Sequence, residues 1–152
     1  ASEVEYLSAG LAPSRQAHRA RRYPMMRYPW DRTEAALRAM ADHSHGVMPE
    51  LDYVNPETGA DVLPTMGFTA MMLAAGLKTT PPRRSCSSAF HVVAGRGRTT
   101  IDGQTVEWGP KDTFSAPVFA SLSHEADEEA FLVRIHDRPL QEKLGYYEER
   151  DS

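Results

Sequence analysis

Between Ser88 and His136 the chain is a succession of short strands cut by turn signals, and this run limits the possible folds more than any other stretch. A-F-H-V-V-A is stopped by G-R-G, after which R-T-T-I and Q-T-V-E-W flank the pair Asp102 and Gly103. A D-G pair favours the two-residue turn with positive φ at both positions, so a tight hairpin is expected here. G-P-K-D at 109–112 reads as another turn, followed by strands at T-F-S-A-P-V-F, S-L-S-H-E-A and A-F-L-V-R-I-H. Strands of this length and spacing predict an all-β sandwich or barrel.

Upstream, F-T-A-M-M-L-A-A after Gly67 reads as a strand covered on both faces. K-T-T-P-P-R-R-S-C-S-S cannot hold a regular ladder, because Pro81 and Pro82 donate no amide hydrogens. Asp31 and Glu34 have capping-box spacing ahead of Leu37, Met40 and Ala41, which predicts a short helix over 33–41 that stops near Gly46. The tail predicts one or two helical turns capped by Asp137, with Pro139 in the first turn and Gly145 at the end.

Residues 1–30 carry Arg15, Arg19, Arg21, Arg22 and Arg27 without sustained periodicity. They read as an arm or linker, and residues 31–152 as a single domain. Tyr6, Leu7 and Leu11 are suited to subunit or domain docking, while the aromatics of M-M-R-Y-P-W should pin the end of the arm to the barrel or a neighbouring subunit.

A net charge of −4 gives no electrostatic reason to expect nucleic acid or an anionic membrane, so the arginines of the arm read as solvated or partner-docking. No apolar run approaches the ~20 residues of a spanning helix, and the start lacks the pattern of a secretory signal. A cytoplasmic protein is expected. The lone cysteine, Cys86, fits a reducing compartment. Arg83 and Arg84 would favour its thiolate, yet no paired base stands nearby in sequence, so a packed thiol is preferred to a reactive one. A start at Ala1 leans only slightly toward a piece of something longer.

With these elements in place, the order glycine, irregular run, V-V-A-G-R-G, I-D-G hairpin and W-G-P-K-D-T-F-S-A-P resembles the paired motifs of the cupin superfamily. R-Y-P-W-D-R-T-E-A-A-L, Y-V-N-P-E-T-G, V-L-P-T-M-G and F-H-V-V-A-G-R-G-R-T-T-I-D-G narrow it. Together they resemble the C-terminal half of gentisate 1,2-dioxygenase and its salicylate and 1-hydroxy-2-naphthoate relatives. The resemblance implies a cupin, a double-stranded β-helix or jelly-roll barrel, with an N-terminal arm and short helices before and after the barrel. It also implies a two-cupin, oligomeric parent whose Fe(II) lies on three histidines of the N-terminal cupin, with an aromatic acid as substrate. The partners implied for this chain are that catalytic cupin and further copies of itself.

A metal-bearing cupin presents H-x-H, a glutamate and a last histidine. Counted against the resemblance, those positions fall on Pro82, Arg84, Ser88 and Leu122. No metal and no catalytic residue is therefore expected in this half, since Pro82 and Leu122 offer no donor and Arg84 is a cation. The alternative is a standalone cupin that binds a small acidic ligand, with Arg83, Arg84 and His124 as candidate ligand-binding residues.

His124 shares strand parity with Leu122 and should face the lumen, whereas His91 should face away from it. Arg83 and Arg84 would either take an oxyanion at the barrel mouth or, the preferred reading, bridge to an acid of E-A-D-E-E at 125–129. His43, His45 and Glu50 spell H-x-H-x4-E, but at a helix end, where histidine complementing the helix dipole is preferred to a metal site. Arg134 and His136 share one face of the last long strand and fit a surface position as well as any other.

Overall fold

A computed structural model describes residues 27–43 and 48–152. The arm before Arg27, with Tyr6, Leu7, Leu11 and its first arginines, lies outside the described residues, as do His45 and Gly46. The elements are α1 (Trp30–His43), β1 (Glu50–Asp52), β2 (Gly67–Leu73), β3 (Lys78–Thr79), β4 (Arg83–Arg84), β5 (Ser88–Ala94) and β6 (Gly97–Ile101). They continue with β7 (Gln104–Trp108), β8 (Thr113–Ala116), β9 (Leu122–Ala126), β10 (Ala130–His136), α2 (Arg138–Leu144) and β11 (Glu149–Arg150).

Two antiparallel sheets face one another, ordered β1-β2-β10-β5-β8 and β3-β9-β6-β7, with β4 and β11 forming a separate pair. Side chains alternate across each strand, so one set fills the lumen and the other turns outward. Met71, Leu73, Phe90, Val92, Trp108, Leu122 and Leu132 belong to the lumen core. Ala70, Met72 and Phe131 form an outer cluster with Leu37 of α1. The arm's last aromatics do pin to this outer face: Trp30 meets Phe131 edge-on at 5.7 Å, and the Tyr28 hydroxyl donates to the Val54 carbonyl at 2.6 Å.

The D-G hairpin forms as its residues require, with φ of 48° at Asp102 and 85° at Gly103. Three local expectations need correction. Helix α1 begins at Trp30 rather than Thr33, because the Trp30 indole bonds Glu34 at 3.2 Å and packs on Phe131, which supports an earlier turn. Asp137 occupies the N-cap of α2 but makes no side-chain cap bond; its carboxylate accepts the Ser87 amide instead, at 3.1 Å. Finally, β8 ends at Ala116, before Pro117 could be asked to donate.

The irregular run is not wholly without a ladder. Arg83 and Arg84 pair with Arg150 and Glu149 from the polar tail. Ser85 reinforces this closure: its amide donates to the Glu148 carbonyl at 2.9 Å, and its hydroxyl donates to Gln141 at 2.6 Å. The chain end thereby fixes the segment that enters the lumen. Among the described residues, no helix is long and apolar enough to cross a membrane.

Candidate functional site

Strand parity brings Ser88 of β5 and Leu122 of β9 to the inner wall, while the β4–β11 pair holds Pro82 and Arg84 against it. These four side chains line one cavity of about 10 Å³ together with Cys86, Ala116, Pro117 and Ala120. Such a volume holds about one water-sized particle. An aromatic acid does not fit there.

The donor set does not suit iron. Non-haem Fe(II) is bound by imidazoles and carboxylate with positions left open for reactants, whereas this cavity offers a proline ring, a guanidinium, a hydroxyl and an alkyl chain. Burial raises the pKa of Cys86 from its ordinary value, which keeps the thiol protonated and makes it a poor nucleophile or ligand. Among the described residues, no group of three or more His, Cys, Asp or Glu is arranged to hold a metal. His43 is exposed at the end of α1, and Glu50 lies half-buried on edge strand β1.

The three candidate ligand residues have different surroundings. Arg83 donates from Nε to the Phe119 carbonyl at 3.0 Å, which anchors the loop before β9. Arg84 lines the cavity and reaches Glu149 through Nε at 3.3 Å. Its acidic partner therefore comes from β11 and not from E-A-D-E-E. Within that acidic run, Glu125 and Asp127 pair with Arg98, while Glu129 pairs with Arg38. The polar tail could supply a partner to Arg84 only after folding back across the chain.

His124 is fully buried and meets Phe90 edge-on at 5.2 Å. Its Nδ1 lies 2.8 Å from the Thr99 hydroxyl oxygen, which also accepts the Trp108 indole N–H at 2.9 Å. With the Thr99 oxygen already accepting, its hydroxyl hydrogen is satisfied by donation to Nδ1. That assignment leaves the proton of the neutral ring on Nε2. Nε2 is buried without a partner. Burial, then the positive charges of Arg84 and Arg134, push the His124 pKa down to about 4, so the ring is neutral near pH 7. His91 faces away from the lumen and lies 2.9 Å from the Thr113 hydroxyl.

Arg134 and His136 are not surface residues: they are only 2% and 3% exposed. Parity with Ala130 and Leu132 turns them into the lumen. His136 packs over Gly67, where an added Cβ would lie 2.3 Å from its ring. Its Nε2 lies 3.1 Å from Thr69, whose hydroxyl donates to Asp52 at 2.5 Å, and Asp52 in turn accepts Arg138 at 3.0 Å. Burial, with Arg134 and Arg138 nearby, lowers the His136 pKa to about 4. Only the alternation within A-F-L-V-R-I-H could have revealed this burial, since the chemical types of Arg134 and His136 argue for solvent.

No family model matches the sequence. A gentisate 1,2-dioxygenase from Ralstonia is 37% identical over 97% of this chain, and the match spans 43% of that enzyme. The chain is a homologue of part of the gentisate 1,2-dioxygenases. A 5-aminosalicylate 1,2-dioxygenase from Comamonas is 35% identical, with 84% of this chain matched to 36% of that protein. The crystal structure of salicylate 1,2-dioxygenase from Pseudaminobacter salicylatoxidans superposes with a TM-score of 0.79 and 28% identity. That superposition covers 98% of this chain and 45% of the other, and it identifies the barrel as a cupin. The chain therefore spans less than half the length of the dioxygenases it matches.

Proposed function

We propose that this chain is the C-terminal, metal-free cupin of a two-cupin, gentisate-type ring-cleaving dioxygenase, and that its own work is structural. The donor set at Pro82, Arg84, Ser88 and Leu122 carries the reading: the four residues that the resemblance puts at cupin metal positions line one cavity, and their side chains are nothing that iron would take. The share of the relatives that is matched supports the same division, because it leaves room for a second barrel in the parent.

In this account, Fe(II) belongs to the N-terminal cupin, where it supplies the oxygen-activating chemistry that opens an aromatic ring. This half packs against that cupin and builds the oligomer. Val118, Leu144 and Tyr146, all more than half exposed, offer apolar surface that a neighbouring domain would cover. The purified 152-residue chain, supplied with Fe(II) and either gentisate or salicylate, should take up no oxygen. Co-expression with an in-frame H-x-H cupin from the same locus should give uptake. Iron-dependent oxygen consumption by this chain alone would overturn the proposal.

A further inference from the structure

Helix α1 packs on Ala70, Met72 and Phe131 of the larger sheet's outer face. By the alternation of β2 and β10 that face continues to Phe68 and Val133, whose side chains are only half-buried. With Tyr28, Tyr53, Val62 and Leu63 they line an open groove of about 440 Å³. Its walls are held from within. The Tyr28 and Tyr53 rings meet edge-on at 5.0 Å, the Tyr28 hydroxyl donates to the Val54 carbonyl, and the Tyr53 hydroxyl donates to Thr33 at 3.1 Å. Among the described residues no charged side chain lines the groove, so nothing there would orient an aromatic acid, and an apolar segment suits it better.

The chain carries such a segment beside the groove. Tyr28 lines the groove, and Y-P-M-M at 23–26 is separated from it by Arg27 alone. Met25 and Met26 are apolar and adapt to irregular surfaces, and Pro24 favours extended backbone at Tyr23. Attachment this close gives the segment a high effective concentration at the groove. Charge supplies an independent reason. Residues 10–27 carry Arg15, Arg19, Arg21, Arg22 and Arg27 and no acid, whereas residues 50–66, which contribute Tyr53, Val62 and Leu63 to the groove, carry Glu50, Asp52, Glu57 and Asp61 and no Lys or Arg. Asp52 is bridged to Arg138 and Asp61 to Lys143, while Glu50 and Glu57 form no ion pair with a described residue.

We propose that the groove seats residues 23–26 of the same chain, with Tyr23, Met25 and Met26 covering Phe68 and Val133, and with Arg19, Arg21 and Arg22 held beside the acids of 50–66. This docking extends the anchorage made by Trp30 and fixes where the arm meets the barrel. It needs only this barrel and its own arm, so it stands apart from the dioxygenase reading.

Limited trypsin digestion of the 152-residue chain provides the test, because Arg21 and Arg22 are cleavage sites at the docked segment. The reference is a synthetic peptide of residues 10–30, in which the same bonds are fully open. Cleavage tracks the population of the open form, so in the folded chain it should be at least about tenfold slower than in the peptide. Leu63→Arg, which puts a like charge in the groove, should restore the peptide's rate. Met25→Asp combined with Met26→Asp should do the same without altering the barrel, and this variant decides if Leu63→Arg does not fold. Equal rates in chain and peptide, or protection that survives the paired Met25 and Met26 substitutions, would overturn the proposal. Protection that fades on dilution would overturn it as well, by assigning the groove to the arm of a second copy.

Discussion

Arg134 and Arg138 stand four residues apart in sequence, one inside the barrel and the other at its rim. Arg138 meets Asp52 at 3.0 Å and forms an ion pair with Glu142 at 3.4 Å through an Nε that is itself buried without a hydrogen bond. Arg134 is almost wholly buried and forms no ion pair with any described carboxylate, and two of its nitrogens are unpartnered. The two buried histidines differ less: the Nε2 of His136 is linked through Thr69 and Asp52 to Arg138 while its Nδ1 is buried without a partner, and His124 bonds Thr99 through Nδ1 and leaves Nε2 without one. At the rim the protein supplies its own compensating charge; in the interior it leaves positive charge where a catalytic cupin would place a cation. The interior is therefore poorly suited to metal on two counts, since it lacks ligands and repels the ion.

The largest test of this contrast is Phe90→Ala. Phe90 stacks on Phe114 at 5.0 Å and supports His124 at 5.2 Å, so its loss opens a cavity beneath the polar interior. Chemical denaturation should report a loss of about 3–5 kcal/mol.

Acid should act next. Unfolded histidine takes a proton near pH 6.5, but His124 in the fold resists until about pH 4. Its contribution is thus complete above about pH 6.5, declines as the pH falls toward 4 and then levels off. By linkage the loss from His124 reaches about 3 kcal/mol at most; because His136 is also held down to about 4, His124→Gln should reduce the decline measured from pH 7 to 4 by about half and not abolish it.

Thr99→Val removes the group shared by His124 and Trp108 while preserving much of its volume. Two buried nitrogens lose their partner, so denaturation should show a loss of about 1–3 kcal/mol. Arg138→Ala should have the smallest effect. Its bridges are partly solvated, and the expected change is under about 1 kcal/mol and reduced further by salt. A loss at Arg138 larger than that at Thr99 would reverse the proposed order of rim and interior.

Local patterns made much of the barrel legible. The strict alternation in A-F-L-V-R-I-H and the Asp102–Gly103 turn are one-dimensional signals with a single geometric solution each. The β4–β11 pair was not legible, because its two-residue strands lie 65 positions apart and neither has a periodic signature. Counting residues from V-V-A-G and Pro117 picked out the side chains that line the small cavity, since strand parity carries through from sequence. Alternation grouped Arg134 with His136 but could not say which face was covered; that depends on the opposing sheet. The volume of the cavity and the lack of an ion pair between Arg134 and any described carboxylate likewise arise only when distant strands meet.

The most direct test of the central claim is elemental analysis of the 152-residue chain after incubation with Fe(II) and removal of free metal. The donor set around Arg84 predicts iron far below one atom per chain. Close to one tightly held atom per chain would contradict it.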